Sequence, residues 1–357
     1  MGDYKIAVLP GDGIGIDVTA EAVKVLKAVE ALDGGVNFDF QEFPWGSQYY
    51  LEHGEMMPKD AIDILAGFDS ILLGAVGDPA VPDHITLWGM LIPIRQCFQE
   101  YVNLRPAKLL PGIESPLRGK GVEDIDIVFV RENMEGEYSG VGGRMHQGTP
   151  AEVALQTGVF TRYGTERIIR YAFEVAQKRP KKHLTSVTKS NACSYSMVFW
   201  DEIFKEVGKD YPDVRADQYL VDAMAASLVL HPEKFDVVVA SNLFGDILTD
   251  IGSAIMGSMG LGASANIDAT FKHPSMFEPI HGSAPDIMGM GIANPLAAIG
   301  AARMLLEHHG EHEMAELVSK AIEQQVAEQK ILSPDLGGTA KTWEVGDDIV
   351  RRILASR

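Results

Sequence analysis

Residues 4–30 read YKIAVLPGDGIGIDVTAEAVKVLKAVE, and this stretch decides the fold. Its start, residues 4–9, is short and mostly apolar, which is typical of a buried strand. A turn follows at residues 10–13, and from residue 17 onward apolar residues recur at helical spacing. A strand, a glycine-containing turn and a helix in this order indicate an α/β protein.

The rest of the chain continues this alternation. Arg105 precedes Pro106, a position that disfavours helix, so the helix before it ends and the chain becomes extended. The Gly-rich residues 135–160 indicate an arm or a hairpin, residues 277–294 indicate a long loop, and a helix begins after Asn242. We predict further strands at residues 69–75, 125–130, 184–187 and 235–240, and further helices at residues 59–66, 86–100, 164–178, 195–207, 295–308, 312–327 and 344–354.

Composition excludes several classes of protein. The 357 residues carry a formal net charge of −19, and such a chain repels nucleic acid and anionic lipid. Its apolar stretches are too short for a membrane span or for the core of a signal peptide. The cysteines, Cys97 and Cys193, rule out a disulfide framework. We therefore expect a cytoplasmic protein that binds neither nucleic acid nor membranes.

The glycines of residues 11–15 invite comparison with a dinucleotide-binding fingerprint. That fingerprint needs glycine at its first, third and sixth positions, and the sixth position here is Ile16. The other interpretation is a tight strand-to-helix turn in which glycine adopts a positive φ. We favour the tight turn, and a cofactor contact is the alternative.

Asp246 and Asp250 are the strongest local signal of chemistry. Residues four apart lie on one face of a helix, where two like charges repel each other unless something neutralises them. A divalent ion such as Mg²⁺ or Mn²⁺ prefers oxygen ligands and meets this need. The alternative is a pair of solvated acids, with Ser241 and Asn242 capping the helix start.

Three arginines lie near the ends of predicted elements: Arg95, Arg105 and Arg131. A planar guanidinium grips a carboxylate with two parallel N–H groups, so three of them can hold a dicarboxylate. Lys189 follows a predicted strand, where a desolvated lysine can act as a base, and Tyr138 is a candidate proton donor. Taken one at a time, such residues more often have structural roles.

Residues 278–286, followed by Asn294, are candidates for a cofactor site. Glycine and other small residues let a flat ligand approach the backbone. An aspartate such as Asp286 can accept hydrogen bonds from both hydroxyls of a ribose and repels a 2′-phosphate, which favours NAD over NADP. The alternative is a Pro/Gly loop in which His281 is simply hydrogen-bonded.

Five segments occur together and in order, and their combination resembles the β-decarboxylating dehydrogenases of isopropylmalate, isocitrate, homoisocitrate and tartrate or D-malate. The resemblance implies a two-domain isocitrate/isopropylmalate dehydrogenase-like α/β fold, with mixed sheets flanked by helices, that is not a standard Rossmann fold. It implies a cofactor-side domain of residues 1–100 plus 252–357, and a substrate and dimerisation domain of residues 101–251 with a β arm near 135–160. The segments are Asn103-Leu104-Arg105-Pro106, Arg131-Glu132-Asn133, Glu137-Tyr138-Ser139-Gly140, Asn242-Leu243-Phe244-Gly245-Asp246 and residues 278–286.

The resemblance also implies roles for individual residues. Lys189 is similar to the family's general base and Tyr138 to its general acid. Lys189 and Asp222 are expected to come from the partner subunit, so that a homodimer shares its active sites. By the same resemblance the substrate clamp is Arg95, Arg105 and Arg131, the ligands of Mn²⁺ or Mg²⁺ are Asp222, Asp246 and Asp250, and the NAD contacts are Ile14, Asn191, Glu278, His281, Gly282, Ala284, Asp286 and Asn294.

Residues 83–95 indicate a branch of the family. Similar isopropylmalate enzymes carry Glu where this chain has Trp88, and similar isocitrate enzymes carry Ser where it has Gly89. Residues 83–95, together with residues 43–50, instead resemble the tartrate/D-malate branch, in which Trp88 would fill the space of a longer substrate arm. This implies NAD- and metal-dependent oxidation of D-malate, with decarboxylation to pyruvate, and of tartrate.

Three alternatives are kept. A 3-isopropylmalate dehydrogenase differs only in its substrate. A non-catalytic regulatory subunit of a related dehydrogenase is disfavoured, because every candidate catalytic position holds a suitable side chain. A Mg²⁺-dependent hydrolase built on Asp246 and Asp250 leaves residues 278–286 unexplained. The choice among D-malate, L-tartrate and meso-tartrate, between Mn²⁺ and Mg²⁺, and of K⁺ as an additional ion is open at this point.

Overall fold

The computed structural model describes residues 2–33 and 35–356. The strands are β1 (Gly2–Gly11), β2 (Val36–Glu42), β3 (Ser70–Ala75), β4 (Val102–Lys108), β5 (Asp126–Glu132), β6 (Gly136–Met145), β7 (Val153–Val159), β8 (His183–Thr188), β9 (Arg215–Leu220), β10 (Val237–Ala240), β11 (Ala263–Ile267) and β12 (Ser275–Pro279). Strands and helices alternate over much of the chain, as the sequence predicts, but β4 to β7 follow one another directly, as do the last three α-helices.

The helices carry the faces that cover these strands. A π-helical turn, Leu87–Leu91, joins two of them, α4 and α5. Within residues 2–33 and 35–356, no helix is both long and apolar enough to cross a membrane. The α-helices are α1 (Gly15–Asp33), α2 (Ser47–His53), α3 (Ala61–Leu65), α4 (Asp83–Thr86), α5 (Ile92–Cys97), α6 (Arg162–Lys178), α7 (Ser196–Val207), α8 (Val221–Leu230), α9 (Asn242–Ile255), α10 (Leu296–His308), α11 (His312–Glu328) and α12 (Thr342–Leu354).

The predicted strands and helices are confirmed apart from shifts at their ends, but β2, α2, β9 and β11 were not predicted. The loop predicted at residues 277–294 is wrong at its beginning, because β12 extends through Pro279 and pairs with both β3 and β11. All five residues of β12 are buried although Ser275 and Glu278 are polar. Residues 275–279 therefore lack the continuous apolar run that would have indicated a buried strand.

The chain divides into two compact units. Unit 1 consists of Met1–Glu100, Lys108–Val122 and Ser253–Arg357, and unit 2 consists of Tyr101–Ala107 and Glu123–Gly252. Lys108–Val122 thus clusters with unit 1, whereas the sequence assigned this segment to the second domain. An exposed ion pair of 2.9 Å between Lys108 Nζ and Glu323 Oε1 of α11 is one of its contacts there.

In unit 1 five strands lie in the order β2-β1-β3-β12-β11. The pairs β1–β2, β1–β3 and β3–β12 are parallel and β11–β12 is antiparallel, so the strands are mixed in direction. Helix α10 contacts α1, α11, β11 and β12 and is buried over most of its length. Its start, Leu-Ala-Ala-Ile-Gly-Ala-Ala, is accordingly apolar on all sides, and the small residues let it approach β11 closely.

The turn between β1 and α1 depends on its glycines. Gly11 and Gly13 have positive φ angles of 69° and 58°, which favour glycine. A Cβ on Gly13 would lie 2.0 Å from the carbonyl oxygen of Ser283, and the N–H of Ile14 donates to that same oxygen at 2.8 Å. The tight-turn interpretation is confirmed, and the missing side chains allow the turn to pack directly against the loop of Ser283.

A buried cluster in unit 1 supports the helical segment that carries Arg95. Phe43 and Trp45 are buried, with ring centroids 4.5 Å apart, and they belong to the same cluster as Met90 and Ile94. Residues that helped to indicate a branch of the family are thus part of the core beneath that helical segment.

The π-helical turn in this segment has a local cause. The N–H of Ile92 donates to the carbonyl of Leu87, five residues earlier. Pro93 follows and has no N–H with which to continue the α-helical ladder. A π turn changes which side chains face the core. Met90 is fully buried here, whereas Trp88 is 41% exposed.

In unit 2 five strands lie in the order β4-β5-β10-β8-β9. The pairs β5–β10, β10–β8 and β8–β9 are parallel. Strand β10, Val-Val-Val-Ala, is buried throughout, which explains its uniform apolar sequence. Since parallel strands end at the same edge, Arg131 near the end of β5 lies at the same edge as Lys189 and the residues that follow Ala240 and Leu220.

Strands β6 and β7 form an antiparallel hairpin, as residues 135–160 predicted. Its apolar side chains face outward, with Leu155 61% exposed and Met145 55% exposed. Exposed apolar side chains grouped in this way mark interaction surfaces.

The stability of unit 1 is expected to fall in mild acid because of His308. This residue, the last of α10, stacks on Phe271 with ring centroids 4.6 Å apart. Burial, and then the neighbouring His309, lowers the pKa of His308 from 6.5 to about 4. Between these two values the unfolded chain binds more protons than the folded chain, so the free energy of unfolding falls as the pH drops.

We expect His308→Gln to weaken this pH dependence by on the order of 1–3 kcal/mol between neutral pH and about pH 4. Urea unfolding across that range measures it. His312→Gln, which replaces an exposed histidine of α11, is the control and should keep the wild-type dependence. The same pH dependence in His308→Gln as in wild type would contradict the expectation.

Candidate active site

Arg131, Asn242 and Asp246 meet where β5 ends and α9 begins. Arg131 pairs in the sheet with Ala240, the last residue of β10, so the start of α9 lies beside it. Asn242 Oδ1 accepts hydrogen bonds from Nε (3.1 Å) and Nη2 (2.7 Å) of Arg131, and Asp246 accepts one from Nη1. The Arg131 side chain is only 3% exposed, so its charge depends on these partners.

Arg105 of β4 approaches the same aspartate. Its Nη1 donates to Thr249 Oγ1 at 2.7 Å and lies 3.7 Å from Asp246 Oδ1. Burial raises the pKa of Asp250, the charge of Arg105 opposes this rise, and the charge of Asp246 adds to it. Unit 2 therefore brings two of the predicted clamp arginines to the two predicted metal ligands of α9.

Tyr138, on β6, joins the same group. Its hydroxyl donates to Asp246 Oδ2 at 3.1 Å, and the guanidinium carbon of Arg131 lies 5.8 Å from its ring centroid. Burial, and then the charge of Asp246, raises the pKa of Tyr138. The phenol is thus protonated at neutral pH and has a proton to donate.

Lys189 and Asp222 form a second group in unit 2. Thr188 and Leu220 are the last paired residues of β8 and β9, so the chain segments that follow them are neighbours. Lys189 Nζ donates to Asp222 Oδ1 at 2.7 Å, and this bond lowers the pKa of Asp222. The predicted base and one predicted metal ligand are therefore partners in the same chain.

The aspartates fit a divalent cation by their chemistry. Carboxylate oxygens are the ligands that Mg²⁺ and Mn²⁺ prefer, and Asp246 and Asp250 present them on one helix face. Within the described part of a single chain, however, no three His, Cys, Asp or Glu side chains are grouped so that they could hold a metal. Asp222 is therefore not grouped with Asp246 and Asp250 among those residues.

Arg95, the remaining clamp arginine, lies in unit 1 and is held by Glu278. Its Nη2 donates to Glu278 Oε1 at 2.7 Å, and Asn266 Nδ2 donates to the same oxygen at 2.8 Å. Both side chains of the Arg95–Glu278 pair are nearly buried, 10% and 9% exposed. Glu278, predicted as a cofactor contact, thus binds a predicted substrate residue in the folded chain.

The loop after β12 has features that fit a nucleotide. His281 Nδ1 lies 2.9 Å from the Gly282 carbonyl, while its buried Nε2 has no hydrogen-bond partner among the described residues. Burial lowers the pKa of His281, so the ring is neutral at pH 7. Ala284 adopts a φ of 39°, and a residue with a Cβ holds such a conformation only where its surroundings enforce it. A Cβ on Gly282 would meet open space, which leaves room for a ligand.

The other predicted cofactor residues differ in environment. Asn294 Oδ1 accepts the N–H of Leu296 at 3.0 Å and its Nδ2 donates to Asp335 at 2.9 Å, so it fixes the start of α10. Ile14 is buried and Asp286 is exposed, both in unit 1. Asn191 is exposed and belongs to unit 2.

The sequence profile of the isocitrate/isopropylmalate dehydrogenase family matches residues 5–349. The chain belongs to this family. The predicted fold is confirmed by a crystal structure of isocitrate dehydrogenase from Methylococcus capsulatus, with a TM-score of 0.88 and 35% identity over 98% of this chain and 99% of that one.

Relatives within the isocitrate/isopropylmalate dehydrogenase family confirm the predicted branch. The chain is 53% identical, over 100% of its length and 99% of the relative's, to a probable tartrate dehydrogenase/decarboxylase of Agrobacterium vitis. It is 49% identical to the D-malate dehydrogenase (decarboxylating) of Escherichia coli, over 99% of both chains. A probable tartrate dehydrogenase/decarboxylase of Bacillus subtilis is 51% identical over 99% of both chains.

Sequence reasoning missed several residues that support these groups. Thr249 binds Arg105 and Asn266 binds Glu278, and neither was considered. Glu100 is fully buried, and burial raises its pKa well above the usual range although the charge of Arg95 opposes this. A charged residue between the apolar residues of positions 98 and 101–102 was the available signal, because such positions rarely hold an acid without a partner.

The Arg95–Glu278 pair predicts a large effect on stability. Glu278→Ala leaves the buried Arg95 charge without its carboxylate, which typically costs about 3–5 kcal/mol. Urea unfolding at neutral pH measures the loss. The matched control is Glu323→Ala, which removes the exposed pair with Lys108 and should cost less than about 1 kcal/mol. Equal losses in the two variants would show that Glu278 does not hold Arg95.

Proposed function

We propose that this protein is a cytoplasmic enzyme that oxidises D-malate with NAD and a divalent metal, releasing carbon dioxide and pyruvate, and that it also oxidises tartrate. The observation that supports the proposal is the contact of Arg105, Arg131 and Tyr138 with Asp246, since guanidinium, phenol and carboxylate groups are suited to bind a carboxylate, donate a proton and bind a metal. The printed activities of the relatives, tartrate dehydrogenase/decarboxylase and D-malate dehydrogenase, support the same substrates.

The substrate would bind through its carboxylates. Arg95, Arg105 and Arg131 supply three guanidinium groups, and such groups bind carboxylates through paired N–H donors. A small C4 acid suits this chain better than a substrate with a branched arm, because Trp88, on the segment that carries Arg95 and 41% exposed, would fill the space of a longer arm. An acidic protein thereby binds an acidic substrate through a few concentrated arginines.

Lys189 and Tyr138 would move the protons. Lys189 accepts the proton of the C2 hydroxyl as that carbon is oxidised, and Tyr138 then donates a proton to C3 after carbon dioxide has left. Atoms balance, since malate loses two electrons, two hydrogens and one carbon dioxide, and C3 gains one proton. With tartrate, oxidation would stop before decarboxylation.

Asp246, Asp250 and Asp222 would hold the metal, and His281, Gly282, Ala284, Asp286, Asn294, Ile14, Asn191 and Glu278 would surround the cofactor. When bound, NAD accepts the hydride from C2 and Mn²⁺ or Mg²⁺ polarises the substrate oxygens as a Lewis acid. The buried, unpartnered Nε2 of His281 and the oxygen-only donor set of the aspartates support these two ligands.

The active enzyme would be a homodimer with shared sites. Two observations support this: Asp222 is not grouped with Asp246 and Asp250 within the described residues of one chain, and the β6–β7 hairpin exposes apolar side chains. In the dimer, Lys189 and Asp222 of one subunit would complete the site of the other.

The proposed substrate is tested by NADH formation with Mn²⁺ and K⁺ present. D-malate, L-tartrate, meso-tartrate, 3-isopropylmalate and isocitrate are compared in parallel. We expect turnover with D-malate and tartrate that chelation abolishes. Turnover with 3-isopropylmalate alone would contradict the proposed substrates but would agree with the proposed oxidation and decarboxylation. If a folded protein formed no NADH with any of the five acids, the result would favour a non-catalytic regulatory subunit.

Shared sites are tested by mixing two inactive variants. Lys189→Ala removes the base and Asp246→Asn removes a ligand, and each alone should lose about 10²-fold or more in kcat. After subunit exchange, a mixed dimer contains one site with both residues intact, so activity should return to up to about one quarter of wild type. No recovery, although exchange is verified by differently tagged subunits, would contradict shared sites.

A further inference from the structure

We propose that Asn242 is a positioning residue for substrate binding, because it fixes the direction of the Arg131 guanidinium without neutralising its charge. The inference rests on the proposed function, in which Arg131 grips a substrate carboxylate. The sequence suggested only a helix cap for this asparagine.

The amide of Asn242 has its orientation set from both ends. Its Oδ1 accepts Nε (3.1 Å) and Nη2 (2.7 Å) along one edge of the Arg131 guanidinium. Its Nδ2 donates to the carbonyl of Glu135 at 3.1 Å. A rotated amide would turn two N–H donors toward a cation and an oxygen toward a carbonyl, so only the observed orientation satisfies every group.

Glu135 is a fixed anchor for this amide. Its N–H donates to the buried carboxylate of Glu132 at 2.8 Å, and its own carboxylate accepts the N–H of Thr161 at 2.8 Å and the Thr161 hydroxyl. The turn between β5 and β6 is thereby tied to the residue before α6. Because the anchor is fixed, Asn242 holds the arginine in one place and does not move with it.

The spacing of α9 completes a cradle for Arg131. Asn242, Gly245 and Asp246 occupy positions i, i+3 and i+4, which share one face of a helix. A Cβ on Gly245 would lie 2.5 Å from Cγ and 2.7 Å from Cβ of Arg131. The glycine lets the arginine methylenes lie against the helix, while Asn242 and Asp246 bind the two sides of the guanidinium.

Helix capping alone does not explain an asparagine at this position. Aspartate caps a helix start about as well as asparagine does. An aspartate at position 242 would however add a second carboxylate beside the Arg131 charge, next to Asp246. A neutral amide directs the guanidinium and leaves its positive charge to attract a substrate carboxylate.

The experiment measures the dissociation constant of D-malate by calorimetry, with Mn²⁺ and without NAD, so that no turnover occurs. Asn242→Ala removes the oxygen that directs the Arg131 guanidinium. Asn242→Asp keeps an oxygen there but adds a negative charge that offsets the positive charge of Arg131. We expect both to weaken binding by on the order of tenfold to a hundredfold. Ser241→Ala, at the same helix start, is the matched control. Wild-type affinity in Asn242→Asp would overturn the proposal, because that is the result of a capping role.

A double-mutant cycle tests whether Asn242 acts through Arg131. In an Arg131→Ala background, Asn242→Ala should lower kcat/KM for D-malate by less than about threefold further. A full additional loss in that background would show that Asn242 acts elsewhere. Because kcat/KM is obtained from initial slopes, weak binding does not prevent the measurement.

A readout without substrate separates this inference from the proposed function. In protein labelled with ¹⁵N-arginine, the Arg131 Nε–H signal is identified by its loss in Arg131→Ala. Its exchange with water should accelerate at least about tenfold in Asn242→Ala and stay unchanged in Ser241→Ala. Accelerated exchange in a protein inactive with every acid would leave Asn242 confirmed as a positioning residue and the substrate wrong. Unchanged exchange in Asn242→Ala, with a wild-type protein that oxidises D-malate, would contradict the positioning role of Asn242 and support the proposed function.

Discussion

The candidate site in unit 2 depends on the hydrogen bonds and the ion pair of the buried Arg131 guanidinium. A charge with 3% exposure is stable only when its donors find acceptors, and Asn242 and Asp246 provide them from one face of α9. This requirement fixes where α9 begins relative to β5. It also sets Asp246 as the meeting point of Arg105, Arg131 and Tyr138. The predicted anion-binding, proton-donating and metal-ligating side chains therefore contact one carboxylate.

In unit 1 the nearly buried charge of Arg95 also needs an acceptor, and a different kind of partner provides it. Here the guanidinium is bound by Glu278, and Asn266 steadies that carboxylate from the neighbouring strand. Glu278 is the penultimate residue of β12, so the loop that follows the strand and contains His281 starts beside a position fixed by an ion pair. The glycine turn at residues 11–13 packs against the far part of that loop through Ser283. Small residues in the glycine turn allow this close backbone packing.

The parallel register of unit 2 explains why Lys189 and Asp222 meet. Lys189 is the first residue after β8 and Asp222 the second after β9, and their ion pair forms although they are 33 residues apart in sequence. The same register keeps them on strands distinct from β5 and β10, which lead to Arg131 and Asp246. The Lys189–Asp222 pair and the group around Asp246 thus lie at the ends of different strand pairs of unit 2.

The sequence by itself determined most of the strands and helices, the i, i+4 aspartate pair, the family and the tight glycine turn, because periodicity, spacing and positive φ are local properties. It failed where burial and polarity disagree: β12 has two polar residues among five buried ones, and Glu100 is an acid in the core. It also failed for contacts between distant segments. Only the tertiary structure decided that Asn242 binds Arg131 and not merely its own helix, that Glu278 holds Arg95, and that Lys108–Val122 belongs to unit 1. Each of these contacts depends on which segments lie side by side in the folded chain. The spacing of residues along the sequence does not show which distant segments are neighbours.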